Sequence, residues 1–219
     1  MLVALLVSCS QQHVVDIELP HTGRSLTRQE RAEVQRVADD AFRDVHAELE
    51  GLPPRLTLIV RWGKDVIPET GENGTASYPG NVMWTLDPDR DALETIRSQL
   101  RATLFHELHH LARASRVTTT TLVDRAVTEG LATAFERDAA HVDRHSRSPS
   151  AIDPPWAKAP DDASWEQDVL AQPSDAKVTR MAMRVGTAWA DRAAHATGKT
   201  PATLVFASTD EILRAAKVR

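Results

Sequence analysis

Apolar positions along this chain change period twice, from helical to alternating and back to helical. After Thr27, the residues Val34, Val37, Ala38, Ala41, Phe42 and Val45 recur at helical spacing, which predicts an amphipathic helix. Thr27 followed three residues later by Glu30 forms a capping box at its start, and Gly51 closes it. "RLTLIVRW" then alternates and is rich in β-branched residues, so a strand is expected from about Arg55 to Trp62. "KDVIPETGENGTASYPGN" carries Gly71, Gly74, Pro79 and Gly80 and reads as a loop. "VMWTLDP" reads as a second strand, stopped by Pro88.

From there the helical period returns. Asp89 to Arg113 and Thr119 to His141 are two long helical patterns joined by a short polar segment. "RSPSAIDPPWAKAPDD" is a Pro-rich excursion expected to wrap the surface. "SWEQDVLAQ" predicts a short helix and "DAKVTRMAMRVGTAWADRAAHATG" a longer one ending at Gly198. "STDEILRAAKV", capped at Ser208 or Thr209, completes the fold. Strands first and helices after give an α+β class: a small N-terminal sheet, then a mainly helical lobe, with residues 10–219 as a single domain.

Composition narrows the function. A 219-residue chain with 42% hydrophobic and 26% charged residues has a globular protein's composition and length enough for a real core. A net charge of −5 argues against a nucleic-acid partner, and 5% aromatic residues offer no base-stacking platform. The single cysteine, Cys9, excludes an intrachain disulfide and a Cys-rich zinc knot. "MLVALLVSCS" resembles a bacterial lipobox, in which Cys9 would be acylated and hold the protein to the cell envelope. A basic segment before the apolar run is missing. Either the true start lies upstream of residues 1–9, or the run is a buried first strand of a cytoplasmic protein. Nothing after Cys9 approaches the ~20 apolar residues of a transmembrane helix.

The chemistry concentrates in "LFHELHHLAR", residues 104–113. Two frames compete there, His106 with His110 and His106 with His109. Residues four apart lie one above the other on a helix, so His106 and His110 can close on one ion at the ~2.0–2.1 Å zinc distance. Glu107 is turned about 100° round the axis and reaches a water on the ion rather than the ion itself, the place of a general base. This is the H-E-x-x-H pattern. With nine histidines in the chain, the pattern alone is not decisive against a surface helix of solvated histidines. Leu100, Leu104, Leu108 and Leu111 supply an apolar stripe roughly opposite His106 and His110, which accounts for the core-facing side. The next helix contains "VTEGLATAFE", where Glu129 would complete a His2Glu set and leave a fourth position open. Gly130 and Ala132 beside it suit a packed helix interface. The competing role for Glu129 is an i,i+4 salt bridge with Arg125.

"HELHH" followed by "EGLATAFE" resembles a family of predicted zinc-dependent proteases, a domain of unknown function allied to the gluzincins, the thermolysin-like enzymes with two histidines and a glutamate on zinc. The resemblance runs from about Leu56 to Leu213 and takes in the Gly-rich loop, the "PPW" segment and "VGTAW…EIL". It implies one zinc per chain on His106, His110 and Glu129, with Glu107 as catalytic base. Two departures stand out. Many gluzincins carry an aspartate four residues after the glutamate ligand to orient a histidine; here that place is Thr133, so the support must differ. The oxyanion group of gluzincins, a tyrosine or histidine, has no tyrosine counterpart after the ligands; Tyr78, His141 and His145 are the candidates. The His106–His110 frame alone leaves Glu107 as base and pairs with Glu129. His109 is then expected to support the ligands or donate toward substrate, or else to be a partly buried histidine bonded to a backbone carbonyl.

The resulting expectation is a zinc metallopeptidase hydrolysing peptide bonds in a peptide or protein substrate, its oligomeric state open. "NVMWTLD" is expected to be the sheet edge that pairs with an extended peptide, and the loop from Lys64 to Asn81 a lip over the cleft. The alternatives are a non-catalytic zinc-binding envelope protein and a metal-free helical interaction domain. An intact Glu107 favours the enzyme, since a structural metal site needs no base.

Overall fold

The computed structural model describes residues 14–19, 24–140, 169–171 and 180–218. Cys9, His141, His145 and the Pro-rich segment lie outside the described residues. The chain begins with β1 (Val15–Glu18), where Val15 and Ile17 alternate with Asp16 and Glu18. The Asp39 carboxylate accepts the N–H groups of Val14 and Val15, both at 3.1 Å, and so ties the start of this short strand to the following helix. That helix, α1 (Arg28–Glu48), has the capping box expected of Thr27 and Glu30 and buries Val34, Val37, Ala38, Ala41, Phe42 and Val45. Beyond it the chain turns at Gly51, whose φ of +83° lies in the left-handed region that glycine tolerates.

β2 (Leu56–Trp62), β3 (Glu72–Ser77) and β4 (Asn81–Leu86) follow. The four strands stand in the order β1-β2-β4-β3. β2 pairs in parallel with β1 and with β4, while β3 runs antiparallel to β4, with Gly74 opposite Trp84 and Ala76 opposite Val82. Two expectations are corrected here. The Gly-rich stretch is not all loop: its second half is β3, held by pairing with a strand whose Val82 and Trp84 are fully buried. β4 is therefore interior, and the edge on its side of the sheet belongs to β3.

The helical half starts at α2 (Ala92–Ala114), capped by Asp91, and continues with α3 (Leu122–Ala139), capped by Thr121. α4 (Arg180–Thr197) and α5 (Thr209–Ala215, capped by Ser208) complete the described chain. Two cores form. One joins α1, the sheet and α2 through Phe42, Leu58, Trp84, Leu104 and Leu108. The other joins α3, α4 and α5 through Leu131, Val185, Trp189 and Leu213. Among the described residues no helix is long and apolar enough to cross a membrane.

Candidate metal centre

The leucine stripe of α2 fixes which way its histidines face. Leu100, Leu104 and Leu108 are fully buried and Leu111 nearly so, which turns His106 and His110 toward α3. Their rings meet edge to face with centroids 4.7 Å apart. Both Nε2 atoms point at one oxygen of Glu129: His106 Nε2 lies 3.3 Å and His110 Nε2 3.5 Å from Glu129 Oε2. Donors on a tetrahedral ion with ~2.0–2.1 Å bonds stand about 3.3–3.4 Å apart, so both separations suit a zinc ion. One ligand atom from each of the three residues lies within 4.8 Å of the others, and no other such cluster occurs among the described residues. Two imidazoles and one carboxylate are also the donor types that zinc accepts in catalytic sites. The residues fit the ion.

The sequence model of the predicted Zn-dependent protease family (DUF2268) matches residues 31–147, from α1 to beyond α3. The chain belongs to this family. No curated protein and no solved structure matches it. The matched segment contains both helices that carry the His106, His110 and Glu129 cluster and the whole sheet except β1.

Electrostatics of the cluster follow from its crowding. Burial opposes a charge on His106, but contacts with the Glu129 and Glu136 carboxylates outweigh it and raise its pKa well above the usual value. Burial likewise works against ionised Glu129, yet the two histidines hold its pKa well below the carboxylate range. Glu129 therefore faces α2 as an anion, in contact with both histidines.

Glu107 stands apart from the donors. It is 7% exposed, and its Oε2 accepts the backbone N–H of Ala76 on β3 at 2.7 Å. Gly74, two residues before, gives this side chain its space: a Cβ there would lie 2.5 Å from Thr103 Cγ2 and 2.9 Å from both Cγ and Oε1 of Glu107. Thr103 is itself fixed, donating its hydroxyl to the buried Glu72 at 2.8 Å. Glu72 also receives the indole N–H of Trp84 at 2.7 Å, and burial pushes its pKa up despite these bonds.

Of the remaining candidates, the two among the described residues, His109 and Tyr78, do not join the cluster. His109 is fully buried with its ring 5.6 Å from that of Phe135, and neither of its nitrogens meets a hydrogen-bond partner. Burial, then the nearby charges of His110, Arg113 and His106, push its pKa well below the usual value against a smaller opposing pull from the Pro201 backbone. A ring with no exposed surface cannot reach substrate, so the expectation of a substrate-side donor is corrected. Tyr78 follows β3 at 59% exposure, and no hydrogen bond, ion pair or ring contact joins it to the cluster. The small residues beside Glu129 do mark a close helix crossing, but Gly130 meets α4 rather than α2: a Cβ on it would lie 2.0 Å from the carbonyl carbon of Gly186.

Sequence reasoning passed over Glu136. Its Oε2 lies 3.1 Å from His106 Nδ1, on the ring's other nitrogen. The signal was present: Glu136 is seven residues after Glu129, two helical turns along the same face of α3.

Proposed function

We propose that this chain is a zinc-dependent peptidase of the gluzincin kind, holding one zinc ion on His106, His110 and Glu129 and using Glu107 as general base. What supports this most is the separation of the four groups into two jobs. Three donors converge on one point, while the fourth group, the Glu107 carboxylate, is withheld from them by the Ala76 N–H at 2.7 Å. A purely structural site has no use for that arrangement. Zinc bound there would supply Lewis acidity, lowering the pKa of a coordinated water toward ~7 and polarising a carbonyl.

The chain's own groups do the rest. With Oε2 occupied by Ala76, Glu107 has Oε1 free to accept a proton from the attacking water and to deliver it to the departing amine nitrogen. The N–H and C=O of one residue point to the same side of an antiparallel strand. Ala76 donates away from β4, so its carbonyl also faces outward, as do the N–H and C=O of Gly74 two residues before. The Ala76 N–H is taken by Glu107, but an extended peptide laid along β3 would find the Ala76 carbonyl and the N–H and C=O of Gly74 as partners, the usual mode of strand addition to a sheet edge.

Glu107→Gln tests the reading. It keeps all three donors, so purified protein should still carry about one zinc per chain while peptide turnover falls by roughly 10²–10⁴-fold. Excess metal should not restore it. In contrast, His110→Ala should lose most of the zinc. Near-normal turnover in Glu107→Gln would remove the base, and zinc-loaded wild type that cleaves nothing in a diverse peptide library would leave only a zinc-binding protein.

A further inference from the structure

An imidazole bound through Nε2 needs its proton on Nδ1, and a neutral histidine in water holds both tautomers. Something must choose between them. His106 has a carboxylate at each ring nitrogen: Glu129 Oε2 at 3.3 Å from Nε2 and Glu136 Oε2 at 3.1 Å from Nδ1. Only the first belongs to the converging donor set. Glu136 sits behind the ring, where an ion held by Nε2 is out of its reach. Among the described residues its carboxylate meets no lysine or arginine, and its ion-pair partner is His106. The adjacent Arg137, by comparison, is turned outward to Asp138 and Asp191. Thr133, the residue one turn after Glu129, is buried with its hydroxyl unpartnered, so it takes no part in supporting the ring.

We propose that Glu136 is the positioning residue of this metal centre, accepting the Nδ1–H of His106 so that the Nε2 lone pair is held toward Glu129 and His110. The inference rests on the metal-site reading above and assigns a task inside it. A carboxylate accepts only, so a hydrogen bond to Nδ1 obliges that nitrogen to carry the proton. The same contact fixes the ring plane and raises the basicity of the coordinating nitrogen. Placing the support on α3, two turns beyond Glu129, means that one helix both supplies a donor and orients another on α2. The pair of helices must be in register for either to work.

The test uses zinc affinity of the full-length protein, measured by competition with a chromophoric chelator, in wild type, Glu136→Gln and Glu136→Ala. Loss of such a support costs about 10–100-fold in metal affinity. Glu136→Ala should show that loss, while Glu136→Gln, whose amide oxygen still accepts the Nδ1–H, should recover a large part of it. Long-range ¹H–¹⁵N correlations on the zinc-loaded proteins should place the His106 proton on Nδ1 in wild type and the glutamine variant. Thermal melting of the metal-free forms should be nearly the same for all three, which separates orientation of the ring from damage to the fold. Unchanged zinc affinity in Glu136→Ala overturns the assignment, as does equal loss in both variants down to the level of Glu129→Ala, which would make Glu136 a ligand. Wild type that takes up no zinc fails at the earlier step and sinks the function reading itself.

Discussion

One methyl group placed at residue 74 is the smallest change that reaches Glu107, the proposed base, without touching the proposed zinc donors. A Cβ there would press on Glu107 Cγ and Oε1 at 2.9 Å and on Thr103 Cγ2 at 2.5 Å. Thr103 has little room to yield, because its hydroxyl is bonded to Glu72. Glu107 must move, and a misplacement of about 1 Å can cost about 10²-fold in rate. Gly74→Ala should therefore retain about one zinc per chain while kcat falls at least ~10-fold. Normal turnover from a zinc-loaded Gly74→Ala protein would show that the seat does not govern the base. At this scale the sequence was informative wherever a contact runs along one helix. His106, Glu107 and His110 announce themselves by spacing, because the helical period is fixed. The bond from Ala76 to Glu107 was not legible, and the spacing of Glu136 from Glu129 marked a shared face of α3 without showing that Glu136 meets His106. Both contacts depend on where β3 and α3 lie against α2, which no local period encodes.

At the scale of elements, a single crossing sets the position of α3. A Cβ on Gly130 would lie 2.0 Å from the Gly186 carbonyl carbon, and one on Gly186 would lie 1.7 Å from the Ala126 carbonyl oxygen. Both obstacles are backbone, which cannot rotate aside, so an added side chain must force the helices apart. Overpacking of this kind costs about 1–3 kcal/mol, often more against backbone, and in a chain of this size each 1 kcal/mol lowers Tm by about 2–4 °C. Gly130→Ala should melt roughly 5–10 °C lower and bind zinc more weakly, since Glu129 is its neighbour in sequence. An unchanged melting curve would mean that α4 is free to shift. The helices were foreseeable from their apolar stripes and caps, and α1 begins where Thr27 and Glu30 predict. β3 was missed because Asn73, Gly74 and Ser77 have poor strand propensity, and pairing with the buried β4 overrides it. β1, only four residues long, left too short an alternation to separate from its surroundings.

For the molecule as a whole, acid sensitivity is carried in part by Asp124. Its Oδ1 accepts the Thr209 hydroxyl at 2.6 Å, and its Oδ2 accepts the N–H groups of Thr121 at 2.9 Å and Thr120 at 3.2 Å. Burial opposes the ionised form, but these bonds outweigh it and hold the pKa well below the usual aspartate value. A depressed folded-state pKa stabilises the protein above the unfolded value of about 3.9 and loses that contribution as pH falls further. Asp124→Asn should cost roughly 1–2 kcal/mol at pH 7, with the gap to wild type closing as melts are taken from pH 5 toward pH 3. A gap independent of pH would assign the effect to shape rather than charge. The bond to Thr209 joins the first turn of α3 to the first turn of α5, a long-range tie that no motif revealed. The α+β class and the order of elements, by contrast, followed from the change of period along the chain.

Among the described helices, α3 alone places side chains in both cores: Phe135 and Ala139 on the sheet side, and Ala126, Val127, Leu131 and Ala134 on the other. Glu129 and Glu136 project from this shared beam. Tolerance to substitution will consequently be distributed unevenly with respect to distance. Positions such as Trp189 and Leu213, buried in the helical half and remote from the sheet, bear on the same beam. If the cluster holds zinc as proposed, changes there that leave the protein folded will read out as altered metal affinity, at positions well beyond the three proposed donors.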